Sequence, residues 1–213
     1  MAAQAASLPG GARVLDVGAG TCPYRPRFAH CEYLAHDFKQ YEGVKLGGGT
    51  DYGRIDLVSD VVAIPAPDAS FDAVLCTEVL EHVPRPADAV REMARLLRPG
   101  GRLFLTAPLG SGLHQLPFHY YGGFSPEWYR ELASRVGLEI VSVTPNGGFY
   151  KLLAQETARA ADQLARADAA QRPPPEVLRL LGELLPSWFF DLDETLGGEQ
   201  FTVGYFVEAR RQG

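Results

Sequence analysis

Seven short apolar runs punctuate the chain, at residues 13–17, 33–35, 55–59, 71–76, 102–107, 138–143 and 201–209, and helical or turn-rich stretches separate them. That alternation constrains the fold more than any other feature. Strands that alternate with helices build βαβ units around a mostly parallel sheet. Right-handed crossovers then bring ligand sites to the carboxyl ends of the strands. Gly18 follows the first run, Asp37 lies just beyond the second, Asp60 follows the third and Thr77-Glu78 the fourth. The unusual clusters therefore all fall where such a sheet binds ligands.

The helices are legible from period and punctuation. In 86–97 the stripe Val90, Met93, Ala94, Leu97 has i, i+3, i+4, i+7 spacing, and Gly100-Gly101 stops it. Ser125-Pro126 reads as an N-cap and N1 proline, opening a helix that runs through Arg135. Residues 150–171 are alanine-rich and helical in character, the prolines at 173–175 interrupt them, and a short helix is expected over 176–185. Residues 39–54 have neither period, and Gly47-Gly48-Gly49 make this segment a loop expected to move. No repeat of 20–50 residues is visible.

A length of 213 residues suits one domain, or one domain with a large insertion. The charge is −6, from 20 Lys and Arg against 26 Asp and Glu. Duplex binding needs a positive phosphate footprint and no basic run supplies one, so extended nucleic acid is not an expected partner. No apolar stretch reaches the roughly 18–20 residues that span a bilayer. The opening MAAQAASLPGGA lacks the basic flank and apolar core of a signal peptide. Cys22, Cys31 and Cys76 have no CxxC spacing, so zinc ligation and disulfides are not expected, and reduced thiols in the cytoplasm are.

Glycines after a strand, as in Val14–Gly20 (VLDVGAG), let a ligand approach the backbone. Asp37, at the end of the next strand, can accept both hydroxyls of a ribose. The dinucleotide fingerprint GxGxxG needs glycine at 23, where Pro23 stands, which counts against NAD. Asp60-Val61 offers an adenine a carboxylate and an apolar side chain. With FDAVLCTEVLEHV at 71–83 and LLRPGGRLFLTAP at 96–108 in the same order, the chain resembles class I S-adenosylmethionine-dependent methyltransferases of the small-molecule, type 11 group over residues 12–148.

The resemblance implies a Rossmann-like three-layer α/β sandwich with a seven-stranded, mostly parallel sheet and an antiparallel last strand. A helical insertion would precede that strand. In this reading 12–148 is the cofactor-binding core of a single domain, 150–198 the insertion and 199–209 the last strand. It also implies S-adenosyl-L-methionine as cofactor. Asp16, Gly18, Ala19 and Gly20 would hold its methionine end, Asp37 its ribose, and Phe38, Asp60 and Val61 its adenine. Thr77 and Glu78 would lie beside the sulfonium. The chain departs from the family at Cys22, where a third glycine is usual, and Pro23 and Pro26 shorten the first helix so that Tyr24 or Arg25 can enter the site. The loop 39–54 stands where a second crossover helix is usual.

The acceptor side is read from residues 109–124, LGSGLHQLPFHYYGGF, which offer His114, His119, Tyr120 and Tyr121 on one loop. Histidine can take a proton near neutral pH, so His114, His119 and Glu78 are the catalytic candidates; plain hydrogen-bonded loop residues are the alternative for the histidines. Tyr24, Arg25, His82, Tyr120, Tyr121 and Trp188 are candidate substrate contacts, although Glu81-His82 equally suits the opening of a helix. No Asp-Asp-Asn-like cluster follows the fourth strand, so a metal-independent reaction is expected. The 150–198 segment is expected either to cap an acceptor pocket or to pack on the sheet or a second copy. The expected activity is methyl transfer to a small polar acceptor, most simply a hydroxyl of a sugar, glycan precursor or natural product, by a monomer or homodimer. A catalytically inactive binding or scaffold protein on the same fold is the alternative.

Overall fold

The strands form because branched and apolar side chains are buried on both faces of a covered sheet. In β1 (Arg13–Val17), Val14, Leu15 and Val17 are fully buried, and β4 (Phe71–Thr77) is buried at nearly every position. The computed structural model describes residues 1–44, 50–198 and 201–213. The glycine run 47–49 and residues 199–200, assigned above to a loop and to the start of the last strand, lie outside the described residues.

With β2 (Glu32–Asp37), β3 (Leu57–Val58), β5 (Leu97–Pro108), β6 (Leu138–Pro145) and β7 (Gly204–Arg211), the sheet has seven strands in the order β3-β2-β1-β4-β5-β7-β6. The pairings of β1 with β2 and β4, of β2 with β3 and of β4 with β5 are parallel, and β7 is antiparallel. The order reverses at β1, where the chain winds outward to β2 and β3 and then returns to β4. Such a switch point opens a crevice beyond the strand ends. On one face Val14, Phe28, Leu75 and Phe104 form a buried cluster with Ala5 and Leu8. Ala5 belongs to a short N-terminal helix, α1 (Ala2–Ala6), that sequence pattern did not predict.

Helix α2 (Pro86–Leu96) follows its predicted stripe, burying Val90, Met93 and Ala94. It ends at Leu96, and the strand begins at once rather than at residue 102. The register explains this: Phe71 pairs with Leu97 and Ala73 with Arg102, so residues 98–101 bulge out of the ladder around Gly100 at φ +79°. Helix α3 (Pro126–Arg135) opens as predicted, with the Ser125 hydroxyl accepting from the Trp128 amide. Between β1 and β2 the prolines leave only a 3-10 turn, Arg25–Phe28. Strand β3 is two residues, shorter than predicted.

The chain divides into two compact units, Met1–Thr144 with Phe206–Gly213, and Pro145–Tyr205. The second is helical: α4 (Phe149–Ala165), α5 (Pro175–Arg179), a π turn over Leu180–Leu184 and α6 (Leu185–Leu196). Within it, buried Asp193 accepts from the amides of Gly148, Tyr150 and Lys151 at 2.8–3.2 Å, satisfying the orphan donors at the start of α4. Helix α4 stops at Ala165, short of 171, and the following helical run passes the predicted end at 185. Pro186 lacks an amide and its ring crowds the carbonyl four residues back, and the wider π turn before it absorbs both effects without ending the helix. Strand β7 begins at Gly204, not 201. Among the described residues, no helix is long and apolar enough to cross a membrane.

Candidate active site

A cavity of about 580 Å³ opens at the carboxyl ends of β1, β2 and β4, wholly within the first unit. Its floor is the turn after β1. Gly18 has φ +68° and Gly20 φ +53°, and a Cβ on Gly18 would lie 2.4 Å from Val79 Cγ2. Only glycine fits there without moving Val79. Cys22, standing where the resembled family has glycine, adopts glycine's left-handed conformation at φ +59°. Its buried thiol donates to the Arg54 carbonyl at 3.5 Å and packs against Gly53, where a Cβ would sit 2.7 Å from the sulfur. The departure from the family pattern is therefore absorbed by Gly53.

The three strand-end acids line the cavity, each tied down separately. Asp16 is 1% exposed and accepts from the Tyr33 hydroxyl. Burial pushes its carboxyl up to about 7, against the opposing effects of Tyr33 and Arg25, while Asp37 adds to the rise. Asp37 accepts from the Gly20 amide with one oxygen and the Lys39 amide with the other, both at 2.9 Å, which leaves a lone pair free on each oxygen. Asp60 is exposed and accepts from the Val62 amide at 3.1 Å, beside buried Val61. Phe38 meets Phe118 edge-on at 5.1 Å between centroids.

Thr77 and Glu78 line the cavity at the end of β4. Glu78 sits at φ +53°, a strained backbone of the kind that clusters at functional sites. The residue is exposed at the cavity wall, yet the surrounding walls desolvate its carboxyl and push it above the usual range; Thr106 and His114 work against that shift. Glu81, which follows in a 3-10 turn at Leu80–His82, is 1% exposed, and burial with the neighbouring Glu78 charge pushes it up to about 8. His82 is pushed down to about 4, chiefly by burial, and is held neutral near pH 7.

The acceptor loop curls over this turn. Its Tyr120 and Tyr121 amides donate to the Glu81 carbonyl at 2.9 and 3.2 Å. His82, His114 and His119 consequently cluster, with ring centroids 4.6–5.9 Å apart. His82, His114, Tyr24 and Tyr120 reach the cavity wall. Four sequence-predicted residues do not. His119 stands behind His114 with Nε2 3.3 Å from the Ser111 hydroxyl, and the Tyr121 hydroxyl donates to the Pro84 carbonyl instead. Arg25 is drawn to Asp56 at 3.0 Å and stacks over Tyr33, and Trp188 lies exposed on α6 of the second unit. Sequence reasoning missed Tyr52 and Phe118, which also line the cavity. The Tyr52 hydroxyl donates to the Tyr41 carbonyl at 2.9 Å, so it clips together the described ends of the 39–54 loop. Two aromatics beside a glycine run were the available signal.

Comparison with known proteins agrees with this architecture. The methyltransferase domain family matches residues 15–105. A ubiquinone biosynthesis O-methyltransferase of Xanthomonas axonopodis pv. citri is 41% identical over 107 residues, covering 46% of this chain and 44% of the relative. The enzyme of that name from Xylella fastidiosa strain M23 is 42% identical over 106 residues, covering 45% and 42%. The chain thus spans less than half the length of these curated relatives. Among solved structures, the cyclase SpnF superposes with a TM-score of 0.62 at 21% identity, over 99% of this chain and 79% of that one. An S-adenosylmethionine-dependent methyltransferase from Mesorhizobium loti gives 0.56 at 18% identity, over 98% and 96%. These structures share the fold, and the first is named for a cyclisation, so the fold alone does not set the reaction. With the strand order, the strand-end motifs and the methyltransferase domain match over residues 15–105 taken together, the chain is similar to the class I S-adenosylmethionine-dependent methyltransferases.

Proposed function

We propose that this chain transfers the methyl group of S-adenosyl-L-methionine to a hydroxyl of a small polar acceptor, such as a sugar, glycan precursor or natural product. One observation carries the reading: a single cavity has glycines and acids suited to the donor at one end and a histidine cluster at the other. Its size falls in the range of small-molecule sites. The donor is a cation with an amino acid tail, so carboxylates suit it better than a phosphate-binding loop would. Asp16 faces the methionine end, Asp37 takes the ribose hydroxyls, and Asp60, Val61 and Phe38 surround the adenine. Thr77 and Glu78 stand beside the sulfonium.

Transfer is an in-line displacement. The acceptor oxygen attacks the methyl carbon, the carbon–sulfur bond breaks with its electron pair on sulfur, and the hydroxyl proton leaves to an imidazole of the cluster. Positioning supplies much of the acceleration, and proton removal contributes a further factor of about 10²–10⁴. The relatives named O-methyltransferases support oxygen as the acceptor atom. Three free cysteines suit a cytoplasmic setting.

Titration calorimetry with S-adenosylmethionine, followed by an acceptor screen with methyl-labelled donor, tests both halves. One donor bound per chain and label appearing on a hydroxyl are expected. Binding without turnover on any acceptor would favour a scaffold role, and no binding at all would end the proposal.

A further inference from the structure

Neither Tyr33 nor Arg25 lines the cavity, yet both bear on Asp16, which does. From β2, the Tyr33 hydroxyl donates to Asp16 Oδ2 on the neighbouring strand β1. The Arg25 guanidinium lies over the Tyr33 ring, 4.7 Å from its centroid, and Nη1 donates to the Tyr33 carbonyl at 3.4 Å. Its Nη2 donates to the Arg54 carbonyl at 2.7 Å and to Asp56 at 3.0 Å. Asp56 in turn accepts from the Ala35 amide at 2.9 Å, so the far end is anchored to the sheet. The result is a continuous chain, Asp56–Arg25–Tyr33–Asp16, in the place where the prolines reduce the first crossover helix to a 3-10 turn.

Electrostatics gives this chain a task. A carboxyl as deeply buried as Asp16 favours its neutral form, which cannot meet an ammonium as a counter-charge. A hydroxyl that donates to the ionised carboxylate stabilises it over the acid and fixes its rotation. Of the groups that face Asp16, Tyr33 and Arg25 favour the charge and Asp37 opposes it. The Cys22 and Cys76 thiols are held protonated by burial and add no charge. Burial and Asp16 also push the Tyr33 hydroxyl above its ordinary value, so it remains a donor and never becomes a second anion.

We propose that Tyr33, with Arg25 behind it, is a positioning pair that holds Asp16 as an oriented carboxylate, and that it thereby sets the preference for a nucleoside carrying an amino acid tail over one without. The inference rests on the proposed function, in which Asp16 faces the amino end of the donor. Since neither side chain reaches the cavity, their influence on a ligand passes through Asp16.

The test compares wild type, Tyr33→Phe and Arg25→Gln by calorimetry at pH 7 and pH 8.5. The ligands are S-adenosylhomocysteine, which carries the tail, and methylthioadenosine, which lacks it. Tyr33→Phe keeps the ring and its stack, so folding is not at stake. It should weaken S-adenosylhomocysteine about fivefold at pH 7 and less than twofold at pH 8.5, as when the Asp16 titration moves up by about one unit. Methylthioadenosine should be unaffected. Arg25→Gln should give the same pattern with a smaller change, about twofold at pH 7. Carbon-13 spectra of aspartate-labelled protein, with Asp16 assigned by its loss in Asp16→Asn, should show the upward move in Tyr33→Phe without any ligand. Equal weakening of both ligands at both pH values would overturn the positioning role and leave the methyltransferase reading intact, as would an Asp16 titration that does not move. A titration that moves while both ligands bind as before would also overturn it, since Asp16 would then not face the tail. Wild type that binds neither S-adenosylmethionine nor S-adenosylhomocysteine would end the methyltransferase reading and this role with it, a failure recognised because it appears before any substitution.

Discussion

At the donor end of the cavity each acid is already engaged by the protein, whereas at the acceptor end two buried polar atoms are left without partners. Asp37 is fixed by the amides of Gly20 and Lys39, and Asp16 by the Tyr33 hydroxyl. Glu81 Oε2 and His82 Nε2 have no hydrogen-bond partner among the described residues. The donor end is thus organised by the sheet and the turn after β1 before any ligand arrives. Preorganisation of that kind lowers the cost of binding. The acceptor end is built from a turn and a loop that meet through two amides on the Glu81 carbonyl.

A pair of single substitutions should separate the two ends. Asp37→Ala removes the carboxylate proposed to accept the two ribose hydroxyls and should weaken S-adenosylmethionine by about 3 kcal/mol, roughly 100-fold in Kd. His114→Ala should leave that Kd within about twofold while lowering turnover at least 100-fold, in line with the contribution of acid–base chemistry. Calorimetry and single-turnover transfer report the two effects independently. If His114→Ala weakens the donor as much as Asp37→Ala does, the division into two ends is wrong.

A smaller effect comes from Asp16, whose carboxyl is pushed up to about 7 by burial. Below that pH it is neutral, so the donor ammonium that it is proposed to face loses its counter-charge. Affinity should rise as pH increases from 6 to 8, by less than tenfold per unit, and Asp16→Asn should flatten the profile. Without donor the same group acts on stability in the opposite direction. From about pH 4 to 7 the folded chain keeps this proton while the unfolded chain has lost it, so its contribution to stability falls as pH rises. Urea midpoints at pH 5 and pH 7.5, compared between wild type and Asp16→Asn, read this out.

The smallest change is expected at Cys22. Its left-handed backbone costs about 1–2 kcal/mol for a non-glycine residue. Cys22→Gly relieves that strain but gives up a buried thiol and adds unfolded-state entropy. The net shift in stability should stay below about 1 kcal/mol by denaturant titration, with donor affinity unchanged. A large loss in either would show that the sulfur itself organises the donor turn.

Much of the donor end was legible because its chemistry is local. Asp16, Gly18 and Gly20 sit within one turn, and Asp37 and Asp60 each end their own strand run, so position along the chain predicts position at the sheet edge. Arg25 misled for the same reason: its neighbours in sequence pointed to the cavity, but Asp56, 31 residues on, captures it. The π turn before Pro186 was invisible because proline ends most helices.

The sequence by itself determined the alternating strands and helices, the order of the motifs and the acids at the strand ends. These follow from hydrophobic period and turn chemistry, which act over a few residues. Only the tertiary structure decided which side chains meet across loops. The loop after β5 folds back on the turn after β4, and it brings His114 and His119 to His82 and Glu81. It also selected the tautomer of His82, whose Nδ1 lies 2.6 Å from the Phe118 carbonyl, 36 residues on. Contacts of that kind depend on the loop path through space, and no local pattern encodes them.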